Sequence, residues 1–204
     1  MYLSPPETGR LLINYRNQQT TDEPIDIFNE HNNHLNIIKM RSEAHRTGLW
    51  HRSAHIWIYN NKSEILLQLR SADKIIFPGR WDISSAGHIG AGEIPIESAI
   101  RELEEEIGLN VSDKDLQFYK ISKQSSTYKS YTDNEFHYVY FLKYNDDISN
   151  LILQKEEVED IRFYHIDFLK RELNINPGDF VPHGKYWFEI INEVEKNLTT
   201  FIVK

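Results

Sequence analysis

The chain has 204 residues, 40% hydrophobic and 12% aromatic, which is enough apolar material for one packed domain with a small extension. Its 31 acidic and 23 basic residues leave a formal net charge of -8, which opposes indiscriminate binding to nucleic acid, and no apolar run approaches the roughly 18 residues of a membrane span. Zero cysteines exclude disulfides, thiolate metal sites and cysteine nucleophiles together.

The N-terminus lacks the basic start and apolar stretch of a secretory signal, so the cytoplasm is the expected location. Residues 1–24 read as a polar arm around a short apolar patch, Leu11 to Ile13, and residues 25–204 as a single domain. Ile25 to Phe28 and Asn36 to Met40 have strand chemistry and flank the polar turn Glu30-His31-Asn32-Asn33-His34. His55 to Tyr59 and Ile65 to Leu69 form a stronger pair, with Asn60-Asn61-Lys62-Ser63 as the turn of a hairpin. Pro78-Gly79 marks a loop, and beside it Trp81 suits a core or loop anchor.

Ile96, Ile100, Leu103 and Ile107 recur at helical spacing and give the next segment an apolar side to bury. Glu102, Glu105 and Glu106 share the adjacent face, because positions i, i+3 and i+4 lie together on a helix. Like charges crowded in this way repel unless they splay into water or enclose a cation, and hard carboxylate oxygens suit Mg²⁺ or Mn²⁺. Glu97 and Glu104 project toward water, and Gly108 stands where a helix would end. Further strands are expected at Leu116 to Ser122, Phe136 to Tyr144 and Val158 to Ile166. A closing helix is marked by Trp187, Ile190, Ile191, Val194 and Leu198. Strands on both sides of a charged helix, with another helix at the end, make a mixed sheet between helices the expected α/β architecture.

Residues 87–109 resemble the Nudix box, with Gly87, Glu93, Arg101, Glu102, Leu103, Glu105, Glu106, Gly108 and Leu109 filling every specified position of its pattern. The resemblance implies the α/β/α Nudix sandwich and a metal site in which Glu102, Glu105 and Glu106 are ligands, with Gly87 beside them. Glu93 and Arg101 would be the pair that supports the loop–helix geometry, since ligands must be held in place. It also implies a small-molecule diphosphate as substrate, Mg²⁺ or Mn²⁺ as cofactor, and a homodimer as an assembly that relatives adopt.

Asp133-Asn134-Glu135 stands at the entry to a strand, where carboxylates two apart share a face. Glu135 and Asp133 are therefore candidates to complete the metal shell or to act as general base. Arg70, Lys74 and Arg80 before the box, with Arg52 earlier, are candidate phosphate contacts because their donors suit phosphate oxygens.

The stretch from Ile25 to Tyr140 is similar to the Nudix branch that contains isopentenyl-diphosphate isomerase. The similarity runs through Arg41-Ser42-Glu43-Ala44-His45-Arg46, Leu49-Trp50-His51-Arg52, Leu66-Leu67-Gln68-Leu69-Arg70-Ser71 and Phe77-Pro78-Gly79. The isomerases carry a catalytic cysteine immediately before a Gly-His pair, where this chain has Ala86 before Gly87-His88, and their box helix is degraded where this one is complete. Both departures point toward hydrolysis of an X-linked diphosphate, with isomerisation or non-catalytic ligand sensing as the rivals. The isomerases also hold a further metal with histidines near the positions of His45, His51 and His88.

Overall fold

The computed structural model describes residues 22–128 and 131–200, so the arm expected over residues 1–24, with its apolar patch, lies outside the described residues up to residue 21. Strands β1 (Pro24–Phe28) and β2 (His34–Met40) form a small antiparallel sheet and lead into helix α1 (Arg41–Thr47). The main sheet contains β3 (His51–Tyr59), β4 (Glu64–Arg70), β5 (Trp81–Asp82), β6 (Ser85–His88), β7 (Leu116–Tyr128), β8 (Tyr131–Lys143) and β9 (Val158–His165). Helix α2 (Pro95–Ile107) follows β6, while α3 (Ile166–Ile175) and α4 (Lys185–Thr200) close the chain. The seven-stranded sheet is mixed and the fold is α/β, as expected.

The hairpin expected from β3 and β4 is only partly formed. Its turn is closed by the Asn60 amide donating to the Glu64 carbonyl at 3.0 Å, but the two strands pair only at Tyr59 and Ile65. Beyond that point they splay, and β6 occupies the space, pairing Ser53 with His88 and Ile56 with Ser85. On the other side β3 pairs with β8 in parallel over nine positions, from His51 opposite Glu135 to Tyr59 opposite Lys143. The long excursion through α2 and β7 between these strands permits this, because parallel neighbours need a crossover.

Alternation along these strands separates two apolar layers. Ala54, Ile56, Ile58, Tyr140 and Leu142 face α2 and meet Ala99, Leu103 and Ile107, all buried. Trp57, Val139 and Phe141 face the other way and meet Leu169 of α3 and Trp187, Ile190, Ile191 and Val194 of α4. Pro95 starts α2 at a position where a missing N–H costs nothing. Gly108 ends it at φ 68°, with its amide donating to the Glu104 carbonyl at 3.0 Å.

Two helices were not foreseen. α1 is short and amphipathic over too few residues to show a period, whereas α3 carries a readable signal in Ile166, Leu169 and Leu173, the first of which was assigned to the preceding strand. Strand β8 also starts five residues before the expected Phe136, so Asp133 and Glu135 lie within the sheet rather than at its entry. Leu103→Ala, which empties fully buried volume between α2 and the sheet, is expected to cost about 2–5 kcal/mol. Urea unfolding measures it, and a loss under about 1 kcal/mol would show that α2 is not packed as described.

Candidate active site

The box residues converge where α2 passes β6. An ideal Cβ on Gly87 would lie 2.0 Å from the Glu102 carboxyl carbon, so the carboxylate occupies the room that the missing side chain leaves. Arg101 ties the cluster together. Its Nη1 donates to Glu102 at 2.7 Å and to Glu105 at 3.0 Å, its Nη2 to Glu93 and to the His88 carbonyl at 3.1 Å each, and its Nε to Glu93 at 3.2 Å. Glu93 in turn accepts from the Gly90 amide at 3.0 Å and from Ser98 Oγ at 2.6 Å. Burial works against its ionisation, but these bonds and Arg101 outweigh that and hold its carboxyl below the usual value.

Glu102 and Glu106 are buried, whereas the Glu105 side chain is about half exposed, at 53%. Burial, and then the neighbouring Glu106, push the Glu102 carboxyl up to about 8. Glu106 is raised chiefly by burial, against the nearby Ser85 hydroxyl, the charges of Lys74 and Arg70, and the Ala86 amide, which donates to it at 3.1 Å. Arg101 bonds Glu102 and Glu105, whereas the positive charges acting on Glu106 are Lys74 and Arg70. Among the described residues the three box acids do not bring ligand oxygens within 4.8 Å of one another, although carboxylates are the ligand type that a hard dication prefers. Lys74 lies in electrostatic range of Glu106, Arg70, Arg41 and Asp82, is depressed mainly by burial, and contacts Glu157.

A second cluster lies on the α4 side of the sheet. The parallel register places His51 beside Glu135, and β6 brings in His88 while α1 supplies His45. Ligand atoms of these four residues all fall within 4.8 Å of one another. His51 Nε2 is 3.0 Å and His88 Nε2 3.2 Å from the same Glu135 oxygen, and His45 Nε2 is 3.1 Å from His88 Nε2. His51 Nδ1 lies 2.9 Å from the Leu49 carbonyl, a partner that turns Nε2 inward as metal-binding histidines require. Burial, then His88 and His51, depress His45 to about 3, leaving it neutral and able to offer a lone pair. His45 Nδ1 and Asp133 Oδ1 are both buried without a hydrogen bond, 3.4 Å apart, and burial and Glu135 raise Asp133 to about 8. Glu135 itself is held well below the usual range. Burial opposes this, but His137, His51 and His88 all bond the carboxylate.

The other candidate residues have protein partners of their own. The Arg52 guanidinium sits 3.7 Å from the Phe28 ring centroid and donates to Asn32 at 2.8 Å, on the face of β3 away from the histidines, which makes it a strut. Arg70 spends its donors on Asp82 at 2.9 Å and on the Ile76 carbonyl at 3.0 and 3.1 Å, so it clamps the 71–80 loop. Arg80 lies over the Phe77 ring at 5.3 Å and contacts the Phe180 carbonyl at 3.4 Å. Trp81 packs on the α3–α4 layer and against Tyr164, as an anchor. Sequence reasoning passed over Arg41, Asp82 and His183. The last two form a buried pair, His183 Nε2 to Asp82 Oδ1 at 2.6 Å, which no spacing signal could reveal across 101 residues.

Residues 49–184 match the model of the NUDIX domain, and the chain belongs to the Nudix hydrolase family. It is 35% identical over 182 residues to Nudix hydrolase 3 of Arabidopsis thaliana, a match that covers 84% of this chain but spans only 24% of the plant protein's length. An uncharacterized Nudix hydrolase of Clostridium acetobutylicum is 30% identical over 198 residues, covering 83% of this chain and 95% of that one. Isopentenyl-diphosphate isomerases stand among the more distant relatives. The crystal structure of a Deinococcus radiodurans protein shares the fold, with a TM-score of 0.61 at 21% identity over 84% of this chain and 98% of that one. Members of the family generally use divalent metal ions, and candidate ligand groups are present here. Among the described residues no helix is long and apolar enough to cross a membrane.

The raised carboxyls set a pH dependence. A folded-state value near 8 for Glu102, against 4.5 ordinarily, means that the folded chain holds this proton more tightly than the unfolded one. Its contribution to stability is therefore present below pH 4.5 and lost as pH rises through 8, and Asp133 acts in the same direction from 3.8 to about 8. Chelator-treated protein is expected to lose thermal stability across this window. Glu102→Gln should flatten the slope, and Mg²⁺ or Mn²⁺ should restore stability at pH 8 by binding the folded state. Melting curves from pH 5 to 8.5 check this; a stability that climbs steadily to pH 8 without metal would contradict it.

Proposed function

We propose that the chain is a metal-dependent hydrolase of an X-linked diphosphate. The observation that carries this reading is the pair of buried carboxylates, Glu102 in the space left by Gly87 and Glu106 close enough to raise it, with Arg101 bonded to Glu102 and Lys74 and Arg70 acting on Glu106. Glu102, Glu105 and Glu106 would hold Mg²⁺ or Mn²⁺. When bound, the ion neutralises charge that develops on the phosphoryl oxygens and helps activate water.

The remaining work belongs to the chain. Arg101 and Glu93 keep the acids in register with β6. Lys74 lies in the electrostatic neighbourhood of Glu106 and Arg41, and supplies positive charge to phosphate oxygens in a protein that is negative overall. Water attacks a phosphorus, the bond to the bridging oxygen breaks, and Glu105, the most exposed of the three acids, accepts the proton. The products are X-phosphate and phosphate, or two phosphate esters.

The second cluster is read as a separate cation site, with His45, His51, His88 and Glu135 as ligands and Asp133 close by. This commits Glu135 to holding charge and removes it from the list of candidate bases. Isomerisation is disfavoured by Ala86, a methyl group where the isomerases place their thiol.

Two measurements test these assignments. Glu102→Gln and Glu106→Gln are expected to lower kcat on a panel of diphosphates with Mg²⁺ by at least about 100-fold, with the fold retained. Release of product at the wild-type rate by either variant would remove the box acids from the chemistry. His51→Ala and Glu135→Gln are each expected to reduce bound Mn²⁺ or Zn²⁺ by about one equivalent in elemental analysis, because a four-ligand site loses a ligand. Unchanged metal content in both would show the histidine cluster to be structural.

A further inference from the structure

The face of the main sheet that carries the histidine cluster continues into a second set of imidazoles. His51, Ser53 and His55 alternate along β3, as do Glu135 and His137 along β8, and the parallel register sets Ser53 beside His137. Ligand atoms of His55, Glu135 and His137 all fall within 4.8 Å of one another, and all three residues are buried.

Glu135 has two oxygens, and they meet different partners. Oε1 lies 3.0 Å from His51 Nε2 and 3.2 Å from His88 Nε2, whereas Oε2 lies 3.0 Å from His137 Nδ1 and accepts from Ser53 Oγ at 2.9 Å. Ser53 Oγ is also 2.8 Å from His137 Nδ1. Serine and carboxylate thus meet the same imidazole nitrogen, which excludes a nucleophilic triad, where each nitrogen has its own partner. The spacings suit a cation instead: two ligands about 2.1 Å from one ion lie about 3.0 Å apart at right angles and about 3.4 Å apart in a tetrahedron.

The protein itself orients the His55 ring. Its Nδ1 lies 3.2 Å from the Tyr186 hydroxyl, which accepts from Trp57 Nε1 at 3.1 Å, and the ring stacks on His137 with centroids 3.9 Å apart. Outer partners of this kind hold ligating histidines in place. Negative charge is also at hand, because Asp82, bonded to His183, acts electrostatically on His55.

We propose that His55, His137 and Glu135 Oε2 hold a second cation next to the one assigned to His45, His51 and His88, with Glu135 bridging the two ions. Two imidazoles and a carboxylate favour a transition-metal dication such as Zn²⁺, Fe²⁺ or Co²⁺ over Mg²⁺. Glutamine at position 135 would keep an oxygen for one ion and present an amide nitrogen to the other. The second site rests on the reading of Glu135 as a metal ligand and is independent of the box acids.

The experiment uses Co²⁺ alone as probe. The full chain is stripped with chelator and dialysed against Co²⁺ with excess Mg²⁺, which competes at the box carboxylates but poorly at imidazoles, and bound cobalt is counted by elemental analysis. Wild type is expected to retain about two Co²⁺ per chain, and His55→Ala, His137→Ala and His51→Ala about one each, since each removes a ligand from one site only. His51→Ala combined with His137→Ala should retain none, and unchanged melting temperatures of the metal-free variants confirm folding. A single Co²⁺ in wild type that His51→Ala removes and His55→Ala and His137→Ala leave in place would overturn the second site. So would a single Co²⁺ that His51→Ala and His137→Ala each abolish, because one shared ion would then explain both. Cobalt lost on changing His55 or His137 but untouched by His51→Ala would overturn the first histidine site and leave the second standing. Wild type without cobalt would overturn both.

Discussion

A carboxylate fills the place of a side chain: Glu102 leans into the gap at Gly87, and the geometry of the whole site follows from that close approach. Glycine matters there by contact rather than by dihedral freedom, because a Cβ would meet the Glu102 carboxylate and force that side chain to shift. The approach draws α2 against β6, and Arg101 then spans four acceptors from three partner acids and the His88 carbonyl. Arg101 serves Glu93, Glu102 and Glu105, while Lys74 and Arg70 act on Glu106, and burial makes the charge on Glu102 and Glu106 costly. Burial therefore raises both Glu102 and Glu106 above the usual carboxylate value.

The main sheet supplies the second half of the architecture through its register. The parallel pairing of β3 with β8 places His51 beside Glu135 and Ser53 beside His137, while the antiparallel pairing with β6 puts His88 opposite Ser53. Three strands that are distant in sequence thus present imidazoles and a carboxylate on one face, and α1 adds His45 from above. The residues of β3 alternate between this polar patch and the apolar layer under α2, so one strand serves the ligand cluster and the core at once. A one-residue slip in β8 would turn Glu135 toward α2 and scatter the cluster.

Gly87, Glu102 and Arg101 are locked by contact and multiple hydrogen bonds, whereas the loop with Lys74 and Phe77 depends on Arg70, which is held in turn by Asp82 and, through it, by His183. This chain of bonds runs from the segment before α4 to the loop between β4 and β5.

The chain alone determined the α/β class, the strands around the box, the apolar stripe of α2 and the three-acid face, because each depends on local spacing. Glu102, Glu105 and Glu106 are neighbours on any helix, and Gly108 ends that helix wherever it is placed. Tertiary structure decided everything that depends on strand order and depth. It inserted β6 into the β3–β4 hairpin, gathered His45, His51, His88 and Glu135, and committed Glu135 to imidazoles. It also turned Arg52 outward and made a clamp of Arg70. An interval of 84 residues separates His51 from Glu135, His45 lies farther still along the chain, and no periodicity carries information across such distances. Burial likewise separates Glu102 and Glu106 from Glu105 only once α2 is packed, so local spacing defines the acidic face and long-range packing defines its electrostatics.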